Sequence, residues 1–488
     1  MGGCYITIYG GVREVGGTKI LVESNDERFL LDFGKQHSSW LKYYEYPFSL
    51  PKTIDELIML GLTPPPKGPL ENIYTSFSKE DGDVDKELET GISACIFSHA
   101  HSDHVGHAFL LNRRIRLFFG EAAWEIVKAR LDYSVKGSIE DLSFGFSLSN
   151  GNVNVFRSKT RISNLTSEIT AFSVDHSVPG SYAFLIDLGD KRLAYTGDFR
   201  WHGPAGHLTS RFAERLRDFE ADILICEGTQ FSNINFLTEA DVEREAKALV
   251  SSSRKLVVVN LSPLDIDRLH TFFKVAEACG RKLVLNVKLA AVLARLAKMR
   301  IESYPNLKDL LIYYPKRKRM MKWKKSFLSG AIGLPFDVRF SEREYALGSL
   351  YGGAVEAEDV LKNPGNYILV TSYYSYEDLV ELYRCSKGGF RSSLEGGVYV
   401  MSTSEPFEEE LEIKFEKLKN WIRILGMTYY PIHSSGHIRP LDLKRFLEYV
   451  KVKCVVPVHS EAPHFMISFV RDLNLKVVNP VRGRPIEF

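Results

Sequence analysis

The sequence predicts an α/β protein in which a strand-rich region is followed by a second domain of alternating strands and helices. Three observations carry that expectation. Short strand-like runs dominate the chain up to Glu227, and helical patterns alternate with buried-type strands from about residue 238. That alternation ends near residue 425, and a tail at 428–488 follows it. The third observation is "FSHAHSDHVGH", residues 97–107, which places four histidines and an aspartate between His99 and His107.

Taken in order, residues 4–9 (CYITIY), 18–23 (TKILVE) and 28–32 (RFLLD) are strand-like, with glycine pairs and the turn SNDE between them. That spacing suits a meander of hairpins. Residues 36–90 are rich in Tyr and Pro, with TPPPKGP at their centre, and read as an irregular insertion holding one helix in TIDELIMLG. An apolar strand in ACIFSHAHSDH then runs directly into the histidine cluster. Further strands follow in NVNVFR, SEITAFSV, SYAFLIDL, KRLAYTGD and ADILICE. Beyond them the helices EREAKALVSS, DRLHTFFKVAEACG and AAVLARLAKMRI alternate with KLVVVNLS and KLVLNV, the mark of parallel βα units. YILVTSYY, GVYVMST and the helix LEIKFEKLKNWIRIL close this part. In the tail, Leu443, Phe446, Leu447 and Val450 share one helical face, followed by the strand in KCVVPVHSE. The texture places a second domain from about residue 238 to near 425, ahead of a tail at 428–488.

Composition excludes several classes. The 488 residues suit two or three domains at about 150 residues each. A net charge of +2 argues neither for nor against a polyanionic partner, so any such argument must come from local clustering. The six cysteines form no CxxC pair, which indicates neither a disulfide framework nor a thiolate zinc site and suits a reducing compartment. MGGCYITIYGG lacks the basic and apolar regions of a secretory signal, and no run of about 18 apolar residues occurs. The expectation is a cytoplasmic protein with no membrane span.

Imidazole and carboxylate are the ligands a borderline cation such as zinc prefers. In HAHSDH the candidates are His99, His101, Asp103 and His104, just past a strand and before a helix. The same arrangement recurs downstream: His176 in VDHSVPGS, Asp198 in LAYTGDFR and His459 in CVVPVHSE each follow a strand. Singly, a strand-end His or Asp is ordinarily a cap or turn residue. Together they supply what two coordination shells need, namely three ligands per ion plus a bridging carboxylate. Two cations about 3.5–4 Å apart would acidify a shared water and clamp a phosphoryl oxygen.

At this point the residues resemble a known family. HAHSDH, DHSVPG and TGDFR look like motifs of the metallo-β-lactamase fold, with Asp32 of LLDFGK as the first motif. Glu227 in ILICEGT, His437 in HSSGH and His459 in PVHSE resemble motifs A, B and C of its β-CASP branch, the nucleic-acid-processing nucleases. Within that branch the pattern is similar to ribonuclease J. The resemblance implies an αβ/βα metallo-β-lactamase sandwich formed by segments 1–229 and 428–488, with an inserted α/β β-CASP domain at 230–427. It also implies two Zn2+ ions per chain, with Mn2+ as the alternative, and an RNA phosphodiesterase that is a 5′→3′ exonuclease with endonuclease activity alongside. By that resemblance His99, His101 and His176 hold one ion, Asp103, His104 and His459 the other, and Asp198 bridges. Asp32 orients a ligand imidazole, His437 faces the scissile phosphate, and Glu227 holds His437 in its tautomer. The turn Ser434, Ser435 and Gly436 would cradle a terminal 5′-phosphate, with His433 contacting nucleotide; the bland reading of that turn is a tight strand-to-helix connection. Within the branch the alternatives are an endoribonuclease like the polyadenylation-type nucleases and a nuclease acting on single-stranded DNA. The long segment 36–90 departs from the minimal family pattern.

One segment stands apart from the motifs. PKRKRMMKWKK packs seven Lys/Arg into residues 316–325, and Lys316, Arg317, Lys318, Arg319 and Trp323 suit a phosphate backbone with a stacked base. A solvated loop or a homodimer surface is the competing use. Two other functions share parts of the pattern: a small-molecule metallohydrolase, which has no need of the inserted domain, and an inactive scaffold, which would not need every ligand.

Overall fold

The hairpin meander and the strands after it form two sheets that close on one core. The computed structural model describes residues 3–24, 27–45, 48–75, 88–132, 152–163, 165–231, 236–299, 304–314, 349–371, 375–386, 391–404 and 409–488. In the first sheet β1 (Tyr5–Gly10), β2 (Lys19–Glu23) and β3 (Arg28–Phe33) pair antiparallel. The sheet then continues parallel through β4 (Ala94–Ile96), β5 (Arg116–Gly120) and β6 (Val153–Phe156). Alternate residues Ile6 and Ile8, Ile20 and Val22, and Phe29 and Leu31 turn to the same core, as the two-residue period of a strand requires.

The second sheet faces it. Its strands are β7 (Thr160–Ile162), β8 (Glu168–Ser173), β9 (Tyr182–Asp187), β10 (Arg192–Tyr195) and β11 (Ile223–Glu227). Ile169, Phe184, Ile186, Tyr195 and Ile225 complete the core shared with the first sheet. Residues of opposite parity, such as Leu185, Ala194 and Leu224, face outward onto helices Gly206–Phe219 and Pro440–Val450. Those helices contribute Phe212, Leu216, Leu443, Phe446, Leu447 and Val450, the residues that helical periodicity places on one side.

The inserted segment builds a third sheet from β12 (Val257–Asn260), β13 (Lys282–Leu285), β14 (Leu311–Tyr313), β15 (Ala354–Val355), β16 (Tyr367–Thr371), β17 (Val398–Met401) and β18 (Thr428–Pro431). Every pairing within it is parallel, in the order β15-β14-β13-β16-β12-β17-β18. Val257 to Val259 are fully buried in succession, as expected of a strand covered on both faces. The intervening helices start on side-chain caps: Thr238, Asp265 and Asn286 each accept the N–H three residues on.

The tail returns to the first two sheets. β19 (Cys454–Val458) lies beside β11, β20 (Lys476–Val477) beside β19, and β21 (Pro485–Glu487) beside β1. The chain thereby divides into two compact units, one of Met1–Val127, Ser134–Phe236 and Gly436–Phe488, the other of Lys128–Tyr133 and Leu237–Ser435. The return thus falls at Gly436 rather than at residue 428, because β18 pairs with β17 inside the third sheet. Part of the 36–90 segment has its own small core, where Trp40, Tyr44, Leu57 and Leu62 pack with Leu110. The basic residues Lys316, Arg317, Lys318, Arg319 and Trp323 lie outside the described residues. Among the described residues no helix is long and apolar enough to cross a membrane.

Candidate metal centre

The ligand candidates come from the carboxyl ends of strands in both sheets of the first unit. β4 leads into His99, β8 into His176, β10 into Asp198 and β19 into His459. The short helix Ser102–Val105 turns Asp103 and His104 back toward the same point. Asp32 and His459 both have left-handed backbones, φ 56° and 52°. That conformation is uncommon outside glycine, though less so for Asp and His, and here it bends the chain where the side chain must re-aim.

These residues converge. The Oδ2 of Asp198 lies 3.5 Å from His99 Nε2, 3.2 Å from His104 Nε2, 3.9 Å from His176 Nε2, 3.7 Å from His459 Nε2 and 3.8 Å from His437 Nδ1. His101 Nδ1 is 3.1 Å from the Nε2 of both His99 and His176. His459 Nε2 is 3.0 Å from Asp103 Oδ2. Among the described residues three groups result, His99, His101, His176, Asp198; Asp103, His104, Asp198, His459; and Asp198, Glu227, His437, each with its ligand atoms within 4.8 Å of one another. They share Asp198.

The donor set fits a divalent ion on two counts. His104 Nε2 and Asp198 Oδ2 are buried as an ion pair 3.2 Å apart that lacks hydrogen-bond alignment, and neither atom has another hydrogen-bond partner. Such orphaned atoms cost free energy unless something electropositive sits between them. The other ring nitrogens are already engaged. His104 Nδ1 meets Asp32 Oδ2 at 2.7 Å, His99 Nδ1 meets Ser98 Oγ at 3.0 Å, His176 Nδ1 meets the Gly436 carbonyl at 2.5 Å, and His459 Nδ1 meets Thr229 Oγ1 at 2.9 Å. Outer partners of this kind fix which nitrogen points inward and steady the ring.

Charge in the metal-free site follows from burial and neighbours. Burial pushes His99 and His176 well below the usual imidazole value, and His101 down to about 4, leaving their lone pairs unprotonated at neutral pH. Burial also opposes the ionised forms of Asp198 and Asp103, yet the surrounding histidines outweigh it and hold both carboxyls well below their ordinary range. For His104 burial is overcome by Asp198 and Asp32, which raise it well above 6.5. For His437 burial is overcome by Glu227 and Asp198, which lift it to about 9.

Glu227 sits below His437, its Oε2 at 3.0 Å from His437 Nδ1. The carboxylate also accepts the Phe199 N–H at 3.0 Å and the Thr229 hydroxyl at 2.7 Å, so its own orientation is fixed. Asp32, at the end of β3, accepts the Ser98 N–H and hydroxyl, each at 2.7 Å, and the Tyr195 hydroxyl at 2.6 Å. Ser98, Tyr195 and Thr229 escaped the sequence reading. Each adjoins a motif, but nothing in spacing distinguishes it from an ordinary core residue.

The HSSG turn is arranged differently from a row of open donors. Ser434 and Ser435 are buried, and the Ser434 hydroxyl donates to Leu237 O at 2.8 Å. The Gly436 carbonyl serves His176, and a Cβ on Gly436 would stand 2.7 Å from Ser177 Oγ. His433 is half-buried in the other unit, with its Nδ1 3.3 Å from Arg268 Nη1.

Comparison with known proteins places these observations. A family model described as a beta-lactamase superfamily domain matches residues 80–259. The chain is 27% identical over 313 residues to ribonuclease J 2 of Streptococcus pyogenes, covering 63% of this chain and 49% of that protein. It is 20% identical over 475 residues to ribonuclease J of Mycoplasma pneumoniae, covering 93% and 68%. With ribonuclease J of Sinorhizobium meliloti it shares 23% over 395 residues, covering 78% and 59%. The matches thus span about half to two thirds of these relatives' lengths. A crystal structure of a protein of unknown function from Enterococcus faecalis V583 superposes with a TM-score of 0.72 at 20% identity, covering all of both chains, which establishes the fold.

Proposed function

The chain has a metallo-β-lactamase fold and is a relative of the ribonuclease J proteins, and on that premise we propose that it is a metal-dependent ribonuclease. The observation that carries the reading is one buried carboxylate oxygen, Asp198 Oδ2, ringed by five imidazole nitrogens at 3.2–3.9 Å. His99, His101 and His176 would hold one Zn2+ and Asp103, His104 and His459 a second, with Asp198 shared; Mn2+ suits the same donors. When bound, such ions neutralise phosphoryl charge and make water a competent nucleophile at neutral pH.

The chain's own groups supply the rest. Asp32 holds His104 with its Nε2 inward. Glu227 accepts a hydrogen bond from Nδ1–H of His437, which leaves Nε2–H as the proton that can pass to the departing ribose oxygen. In the metal-free site, and against burial, Glu227 and Asp198 lift His437 to about 9, which favours the form that carries this proton. His433, the Ser434–Gly436 turn and the basic stretch around Trp323 are the proposed RNA contacts; of the turn, the Ser434 hydroxyl is already engaged, which leaves backbone groups for phosphate.

We expect 5′→3′ exonuclease action with endonuclease activity alongside. End-labelled RNA and single-stranded DNA are incubated with the metal-loaded protein and with Asp198→Ala, and products are sized. Mononucleotides from RNA, absent with Asp198→Ala, support the reading. No cleavage of RNA by the loaded protein would overturn it. Equal rates on 5′-phosphorylated and 5′-hydroxyl RNA would refute recognition of the terminal phosphate.

A further inference from the structure

Two of the ligand loops are tied together by a buried ion pair that lies outside the ligand set. Asp175 immediately precedes His176, and Arg200 follows Asp198 by two residues. Arg200 Nε donates to Asp175 Oδ1 at 3.1 Å, with both side chains fully enclosed. Their backbones are linked as well, the Arg200 N–H donating to Asp175 O at 2.8 Å. Thr209, buried on helix Gly206–Phe219, completes the tie. Its hydroxyl accepts the Asp175 N–H at 3.0 Å and donates to Arg200 O at 2.7 Å. Gly203 makes room for the pair, since a Cβ there would stand 2.1 Å from Arg200 Nε and 2.5 Å from Asp175 Oδ2.

Topology explains why such a device is needed. His176 follows β8 and Asp198 follows β10, and β9 lies between those strands. No ladder of main-chain hydrogen bonds therefore runs directly between β8 and β10 to set the spacing of the loops beyond them. Stability alone is a poor account of the pair, because desolvating two charges consumes most of what their attraction returns, and apolar residues of similar volume would often do as well. What a directed guanidinium–carboxylate contact adds is orientation.

We propose that Asp175, Arg200 and Thr209 form a positioning clamp that holds the His176 loop against the Asp198 loop and so sets the geometry offered to the metal. The inference rests on the metal-binding reading of the site and concerns positioning residues, none of which touches substrate.

The test reads metal affinity directly. The whole chain is stripped with chelator, and its Zn2+ affinity is measured by competition with a chromophoric chelator, with the Tm of the metal-free protein taken in parallel. Asp175→Asn and Arg200→Lys keep size and part of the hydrogen bonding. Thr209→Val removes the shared hydroxyl without leaving a bare charge, and so serves if the first two fail to fold. Val450→Ala, in the core outside the second sheet, controls for lost stability alone. Asp175→Asn and Arg200→Lys should weaken Zn2+ binding about 10-fold, the low end of what losing a direct outer partner of a metal ligand does, because the clamp acts through the loop backbones. Thr209→Val should weaken it less, and Val450→Ala not at all despite a lower Tm. Clamp variants that bind Zn2+ like the unaltered chain overturn the clamp and leave the metal reading standing. An unaltered chain that takes up no Zn2+ overturns both.

Discussion

Replacing Glu227 by Gln separates the proposed proton donor from the group that charges it. His437 stands at about 9 against an ordinary 6.5. At about 1.4 kcal/mol per unit, the imidazolium is favoured by roughly 3 kcal/mol, an order-of-magnitude figure shared among Glu227, Asp198 and Asp103 and opposed by burial. Gln keeps an oxygen for the Phe199 N–H but sets an amide nitrogen where Thr229 Oγ1 and His437 Nδ1 now find an acceptor. The charge is lost and the imidazole tautomer is no longer imposed. Divalent ions beside His437 lower its absolute value in the loaded enzyme, yet they act on both proteins, so the difference survives. Since a group acting as acid must be protonated, activity falls as pH rises through its value. The alkaline limb of kcat/KM on a fluorogenic RNA should therefore move about 1–2 units to lower pH in Glu227→Gln. At pH 8.5 that is roughly a 10- to 100-fold loss at unchanged metal content. Profiles that differ by a constant factor, with the alkaline limb in the same place, would refute His437 as the proton donor held by Glu227.

Three further outcomes follow from the same geometry. Asp32→Ala leaves the Ser98 N–H, the Ser98 and Tyr195 hydroxyls and His104 Nδ1 buried without their acceptor. It should cost about 3–5 kcal/mol of stability by denaturant titration, a loss under 1 kcal/mol contradicting the network. Metal uptake should release protons, because His104 is held protonated in the metal-free site and must lose that proton to offer Nε2. The sign is that Zn2+ affinity weakens as pH falls; calorimetry in buffers of different ionisation enthalpy should give a proton release above zero, and none would contradict the assignment of His104. Gly436→Ala drives a methyl to 2.7 Å from Ser177 Oγ and 3.0 Å from His176 Cε1. It should lower Zn2+ affinity by displacing His176, and wild-type affinity by competition titration would show that the loop has slack.

The sequence alone determined the identity of the ligand types and the architecture around them. Strand periodicity located β1 to β3 and β8 to β11, because a half-buried strand must alternate its apolar residues toward one core. Helical patterning located the helices of the inserted segment, though their starts lie a few residues earlier, at the caps Thr238, Asp265 and Asn286. HAHSDH was legible because its donors are near neighbours in the chain. What the sequence left open is whatever depends on contact across hundreds of positions. No local rule brings Asp198 Oδ2 within 4 Å of five rings, assigns Tyr195 to Asp32 and Thr229 to His459, or joins Asp175 to Arg200. Nor does one keep β18 in the inserted sheet, which moved the return from 428 to Gly436. Periodicity records which side of an element is apolar; only packing decides which buried polar atoms end up facing one another, and the chemistry proposed here lives in those facings.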